Sequence, residues 1–199
     1  MSKDFKINTD SLLWNDFKRG NREAFHVIYK SHVQTLYKYG CNFSQDEAFV
    51  KDCIHDVFID LVRYGSALGS TNNIKLYLLK SLKRKIVRSL YKRRHFKALE
   101  KEDVAFQYYL SAEDEMADDI GTQNRSQILN TAMEVLSPRQ REAIYLKFVS
   151  NLSYEEISNL LEINYQSARN LIFRGVEKLR AAIPKDIILL FFHRIKKES

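Results

Sequence analysis

The sequence predicts an all-α protein: two small helical domains joined by an acidic linker, the second containing a helix-turn-helix. Three observations carry that expectation. Only 6 glycines and 2 prolines occur in 199 residues, while Leu, Lys, Glu, Ile and Ala are plentiful, a usage that favours helices over many short strands. Apolar residues recur at three- and four-residue intervals on both sides of a ragged central stretch. Charge reverses at that stretch, with ten Lys or Arg and no acid over 75–97, then eight acids against Lys101 alone over 98–123. Such a reversal reads as a domain end followed by a linker.

The expected layout is therefore a helical domain over 8–97, a linker over 98–124, a second helical domain over 125–185, and an apolar and basic tail over 186–199. Fully extended, the linker reaches on the order of 90 Å, enough to join two separated sites on one large partner.

In the first domain, helical spacing places Leu13 and Phe17, then Phe25, Ile28 and Tyr29, then Leu36 and Tyr39 on inward faces, with Gly20 and Asn21 as punctuation. "FVKDCIHDVFIDLVRYG" follows with Val50, Cys53, Ile54, Val57, Phe58 and Leu61 on one face and Gly65 just past its end as a C-cap. Asp52, Asp56 and Asp60 fall at i, i+4 and i+8 on the opposite face. That stripe has three readings: metal ligands of a hydrolase with His55 and Asp56 as a dyad and His26 or His32 as further ligands, a solvated face, or a docking surface for a basic protein.

A small polar loop, "GSALGSTNN", leads into "IKLYLLKSLKRKIVRSLYKRR". Leu78, Leu79, Leu82, Ile86 and Leu90 share one arc of this helix, and Lys80, Arg84, Arg88 and Lys92 the other. A solvated helix normally mixes acids among its bases. Their absence points to a phosphate-tracking surface. Tyr77, Tyr91 and Phe96 can stack on unpaired bases or serve as core, and the loop before the helix is small enough to cup an extruded base.

In the second domain, "LSPRQREAIYLKF" is a capped helix with Pro138 at its first position, and Ile144 and Phe148 are placed to pack on the helices that follow. Ser153 and Glu156 form a capping box, with Ile157 and Leu161 inward and Ser158 small enough for a close helix crossing. Asn164 caps the next helix, whose inward positions are Ala168, Leu171, Ile172, Val176 and Leu179. Gln166, Ser167, Arg169, Asn170, Phe173 and Arg174 remain outside. They are the residue types that meet base edges: Arg for guanine, Gln or Asn for adenine, a ring for a thymine methyl. The pair reads as a helix-turn-helix rather than a plain hairpin, because its exposed turns lack the usual Glu and Lys pairs.

The formal charge of +7 suits a polyanion or an acidic protein surface as partner. Cys41 and Cys53 are the only cysteines and form no CxxC pair, so neither a disulfide framework nor a zinc site is expected. The N-terminal "MSKDFKINTD" lacks an apolar signal stretch, and "IILLFF" at 187–192 falls far short of the ~18 residues of a spanning helix. A cytoplasmic location without membrane insertion is expected, with no cofactor.

In their order and spacing these segments resemble the bacterial sigma-70 family, in its short two-domain extracytoplasmic-function form, over nearly the whole chain. "DCIHDVFIDL" is similar to the family's core-polymerase-binding motif. The resemblance implies that Asp52, His55 and Asp56 face core RNA polymerase, His55 standing where the family usually has Gln. It implies that "NNIKLYLLKSLKRKIVRSLYKRR", with Asn72, Asn73, Lys80, Arg84, Arg88 and Lys92, reads and opens a minus-ten-type promoter element. "LSPRQREAIYLKFVSNLSYEEISNLLEINYQSARNLIFRGVEKLR" resembles the family's C-terminal helix-turn-helix, which binds a minus-thirty-five-type element; Glu162 stands where a turn Gly is usual. Promoter DNA and core polymerase are thereby implied as partners, an anti-sigma factor is implied as a restraint, and no catalysis is assigned to the chain. The alternative from another class is a stand-alone helix-turn-helix regulator, which would bind a palindrome without polymerase.

Overall fold

A computed structural model describes residues 3–95, 105–107 and 131–182. The chain divides into two compact units, Met1–Val104 and Ala105–Ser199. The expected domain ends at 97 and 125, the tail over 186–199, Phe96, and all of the 98–124 stretch except 105–107 lie outside the described residues.

The first unit contains α1 (Lys3–Lys18), α2 (Arg22–Gly40), α3 (Glu47–Tyr64), a 3₁₀ turn (Gly65–Ala67) and α4 (Ile74–His95). Gly20 takes φ +88°, a value that few side chains tolerate, and so closes the turn after α1. Asn21 then caps α2 by accepting from the Glu23 and Ala24 amides at 2.9 and 3.1 Å. Asp46 caps α3 through the Phe49 amide. Gly65 follows α3 with right-handed angles, φ −40° and ψ −55°, so it continues into the 3₁₀ turn instead of making a left-handed cap.

Two side-chain contacts, one of them distant in sequence, fix the start of α4. Asp10 on α1 accepts from the Ile74 amide at 2.9 Å, and Asn73 accepts from the Leu76 amide at 2.8 Å. Trp14, fully buried, donates its indole N–H to the Gly69 carbonyl at 2.8 Å and so pins the small loop before α4 to α1. The core joins Ile28, Leu36 and Tyr39 of α2 to Val50, Val57 and Leu61 of α3 and to Leu78, Leu79, Leu82 and Ile86 of α4. Each such side chain contributes about 1.5–3 kcal/mol on burial. An ideal Cβ on Gly40 would sit 2.7 Å from Val50 Cγ1, so this glycine is what lets α2 approach α3.

The second unit contains a helical stretch at 131–134, α5 (Pro138–Ile144), a π-helical turn (Tyr145–Val149), α6 (Tyr154–Leu161) and α7 (Tyr165–Ala182). Ser137 with Gln140, and Ser153 with Glu156, form reciprocal capping boxes at the starts of α5 and α6. Asn164 accepts from the Ser167 amide at 2.7 Å at the start of α7.

The buried positions differ from the spacing argument at two places. On α6, Leu160 is buried beside Ile157 while Leu161 is half-buried. On α7, Gly175 is buried with Ala168, Ile172 and Leu179, while Leu171 and Val176 are half-buried. The second difference has a steric cause: a Cβ at Gly175 would fall 2.7 Å from Ile144 Cδ1, so α5 and α7 cross at this glycine. Among the described residues no helix is long and apolar enough to cross a membrane.

Candidate nucleic-acid interface

On α4 the apolar arc and the basic arc separate as the spacing requires. Leu78, Leu79, Leu82 and Ile86 are fully buried, which turns Arg84, Arg88 and Lys92 outward into solvent; Lys80 is half-buried at the same helical phase. Two other bases on the helix serve the fold. Lys85 bridges two carboxylates of α3, Asp60 at 2.7 Å and Asp56 at 3.5 Å. Arg93 lies 3.3 Å from Asp46 and 4.2 Å over the Phe49 ring. Hydrogen bonding from the Phe49 amide, helped by Arg93, holds the Asp46 carboxyl below its usual range.

The two asparagines before α4 have different settings. Asn72 is exposed, whereas Asn73 is half-buried with its side-chain oxygen committed to the helix cap. Tyr77 is also engaged, its ring centroid 4.9 Å from that of Trp14. Tyr91 is exposed on the outer part of the helix. Of the two described aromatics on α4 that suit base stacking, Tyr91 alone is exposed, since Tyr77 already has a ring neighbour.

On α3, Asp52, His55 and Asp56 are all exposed. The acidic stripe does not continue evenly to Asp60, which is half-buried and turned toward Lys85. In its place the exposed face continues through Ile59 and Val62, 40% and 62% exposed. Sequence reasoning passed over this pair, although their offsets of seven and ten from Asp52 put them on the same face. Among the described residues no group of three or more His, Cys, Asp or Glu gathers in a metal-binding arrangement. His26 is exposed on α2, and His32 is half-buried, its imidazole pushed below the usual pKa chiefly by burial.

On α7, Gln166, Ser167, Arg169, Asn170, Phe173 and Arg174 are all exposed, Phe173 by 61%. Gln166 donates to Asn170 Oδ1 at 3.2 Å, so the two amides are held side by side. At the head of the helix, Tyr165 meets Tyr154 edge-on at 6.2 Å, the Arg169 guanidinium lies 6.0 Å from the Tyr165 ring, and Lys147 lies 4.7 Å from Tyr154. Two cations thus flank the point where α6 and α7 begin, beside the Gln166–Asn170 amide pair.

The turn between α6 and α7 is left-handed at Glu162, with φ 56° and ψ 43°, and its backbone N–H returns to the Ser158 carbonyl. The Ile163 amide reaches the same carbonyl at 3.0 Å. This is the helix ending that glycine makes without strain, built here on a residue with a Cβ.

A two-helix reading motif in one unit and a basic helix behind a small loop in the other define a DNA-binding transcription protein. Residues 126–179 match the family described as Sigma-70, region 4. The chain is 26% identical over 165 residues to the RNA polymerase sigma factor CarQ of Myxococcus xanthus, covering 82% of this chain and 91% of that protein. Its fold is similar to that of the sigma factor RpoE of Bartonella quintana, solved with the anti-sigma factor NepR, at a TM-score of 0.59 and 19% identity over 79% of this chain and 95% of that one. It is likewise similar to CnrH, solved with the cytosolic domain of CnrY, at a TM-score of 0.60 and 19% identity over 86% and 95% of the two chains. Residues 126–179 thus carry a Sigma-70 region 4 domain, and over most of its length the chain is similar to a sigma factor. Its function is that of a sigma factor, in transcription initiation.

Proposed function

We propose that the two units divide promoter recognition between them, the first holding core polymerase and the opened minus-ten-type element, the second reading the minus-thirty-five-type duplex. The observation that carries this reading is the composition of the α7 face. Gln166, Ser167, Arg169, Asn170, Phe173 and Arg174 are exposed together, and the first turn carries no acid to repel phosphate. Such side chains read base edges in the major groove, where each base pair shows a distinct pattern of donors and acceptors.

On α4, Arg84, Arg88 and Lys92, with Lys80 half-buried in phase, track the phosphates of melted DNA, and Asn72 and Asn73 stand at its entrance. The Asn73 oxygen caps α4, which leaves Asn72 as the exposed asparagine at that entrance. Strand opening of this kind is driven by binding energy, and the chain carries out no bond chemistry of its own.

Polymerase is met by the outer face of α3, where Asp52, His55 and Asp56 adjoin the apolar Ile59 and Val62. Acids beside an apolar centre suit a partner surface that is basic around an apolar patch. An anti-sigma factor is the expected competitor; both structural relatives above were solved with a bound partner, named as an anti-sigma factor for RpoE. A cytoplasmic setting and the domain limits 8–97, 98–124 and 125–185 complete the reading. The test is co-purification of the full chain with core polymerase. Retention of the chain on polymerase supports the reading, and failure to associate with it at micromolar concentrations removes it.

A further inference from the structure

We propose that Tyr165 is a positioning residue that aims the Arg169 guanidinium, and so sets how sharply one base of the upstream element is selected. The inference rests on the reading of α7 proposed above. Three contacts place the ring. Lys147, in the π-helical turn, donates to the Leu152 carbonyl at 3.2 Å, and its ammonium stands 4.7 Å from the centre of the Tyr154 ring. Tyr154 meets Tyr165 edge-on, with centroids 6.2 Å apart and planes at 72°. The Arg169 guanidinium lies 6.0 Å from the Tyr165 ring centre, at the outer end of the range over which a ring face attracts a cation. Tyr154 and Tyr165 are the first residues of α6 and α7. The column therefore ties the head of the reading helix, and the arginine on it, to the helix before.

Helix geometry accounts for the pairing. Residues four apart share a face, and a long helical side chain leans back toward the N-terminus, which carries Arg169 toward Tyr165. The ion pairs among the described residues do not include Arg169. A carboxylate would orient the guanidinium by occupying its N–H donors and offsetting its charge, whereas a ring face orients it and leaves all five donors to meet a base. Gln166 and Asn170 repeat the device one residue on, joined at 3.2 Å at the same spacing. Ordering a free arginine on binding costs conformational entropy, and a side chain already held near its bound direction loses less. A misaimed guanidinium still attracts phosphate. It discriminates bases poorly, because a bidentate contact to a base edge depends on direction. Tyr165 itself is 46% exposed, so its ring is not a core element of the unit.

The test reads selectivity base by base. Holoenzyme made from the full chain and core polymerase is assayed for initiation on a promoter mapped with the unsubstituted chain, then varied one base pair at a time across the upstream element. Tyr165→Leu should reduce discrimination about threefold or more at the single position where Arg169→Ala abolishes it, and leave the other positions unchanged. Tyr165→Gln, ringless and tolerant of solvent, should do the same. Tyr165→Phe, which keeps the ring and loses the hydroxyl, should discriminate as the unsubstituted chain does. In a chain carrying Arg169→Ala, adding Tyr165→Leu should change discrimination no further. Loss in Arg169→Ala with none in Tyr165→Leu overturns the positioning role and leaves the base-reading assignment standing. Loss spread evenly over the element, or centred on another position, overturns it as well, and equal loss in Tyr165→Phe marks a direct contact by the hydroxyl instead. If Arg169→Ala keeps full discrimination at every position, the reading of bases by Arg169 falls, and the positioning role with it.

Discussion

Lys85 Nζ lies 2.7 Å from Asp60 Oδ2, an ion pair that ties α4 to α3. The same ammonium stands 3.5 Å from Asp56, whose side chain is 59% exposed and keeps its outer side toward solvent. Asp60 is thereby committed within the unit, and Asp56 is left at the edge of the exposed α3 face proposed above to meet polymerase. Asp56→Arg should abolish association with core polymerase while Lys85 stays paired to Asp60, at a stability cost below about 1 kcal/mol. Pull-down beside a thermal melt checks both halves. Undiminished pull-down would remove Asp56 from the interface.

Glu162 is the one described turn position between α6 and α7 with positive φ. A left-handed conformation on a residue with a Cβ costs about 1–2 kcal/mol, part of which glycine returns through its greater freedom in the unfolded chain. Glu162→Gly should therefore raise the stability of the second unit by about 0.5–1 kcal/mol, read as a higher denaturant midpoint. A lower midpoint would show that the Glu162 side chain contributes more than its backbone strain costs.

Arg169→Ala should cost about 1–3 kcal/mol at a single position of the upstream element if the guanidinium forms a bidentate base contact. Initiation measured across promoters varied one base at a time checks this. Equal weakening on every promoter would make Arg169 a phosphate contact instead.

Arg84 and Arg88 are exposed on the basic arc of α4, proposed above to track phosphates. Replacing both with Ala should reduce the salt dependence of holoenzyme binding to pre-melted promoter DNA, by about 1.4 in the slope of log affinity against log salt. An unchanged slope would place the single strand elsewhere.

Among the described residues, His32 gives the first unit a pH dependence near neutrality. Burial holds its imidazole below the usual 6.5, against the pull of nearby Asp10 and with help from Lys75. The unfolded chain therefore takes up the proton at higher pH than the folded one. This contribution is complete above pH 6.5 and declines as pH falls from there toward the lower folded pKa. The melting temperature should drop between pH 7.5 and 5.5, and His32→Gln should flatten that drop. The Asp46 and Glu47 carboxyls, held low by the Phe49 amide and by Lys51 respectively, contribute only at more acidic pH.

The helices were legible in the sequence because their signals are local. Pro138, Ser153 and Asn164 announce helix starts by side-chain chemistry, and the burial of Val50, Cys53, Ile54, Val57, Phe58 and Leu61 follows from spacing alone. Features set by a second element were not legible. Gly175 reads as an interruption in a helix until Ile144 is placed against it. Asp60 belongs to the acidic stripe by phase, and the approach of Lys85 from α4 reassigns it. That Asn73 also caps α4, through the Leu76 amide, shows only once the helix start is in place. Phe106 gives no periodic signal, because the described residues beside it, Ala105 and Gln107, lie in no helix.

The most direct test of the central claim is to mix the purified chain with core RNA polymerase and fragments of its genome, then map the 5′ ends of the transcripts. Discrete starts that appear only when the chain is present, each preceded by the same two separated elements, are the result predicted here. Starts that do not depend on the chain, together with tight binding to a palindromic duplex without polymerase, would contradict it.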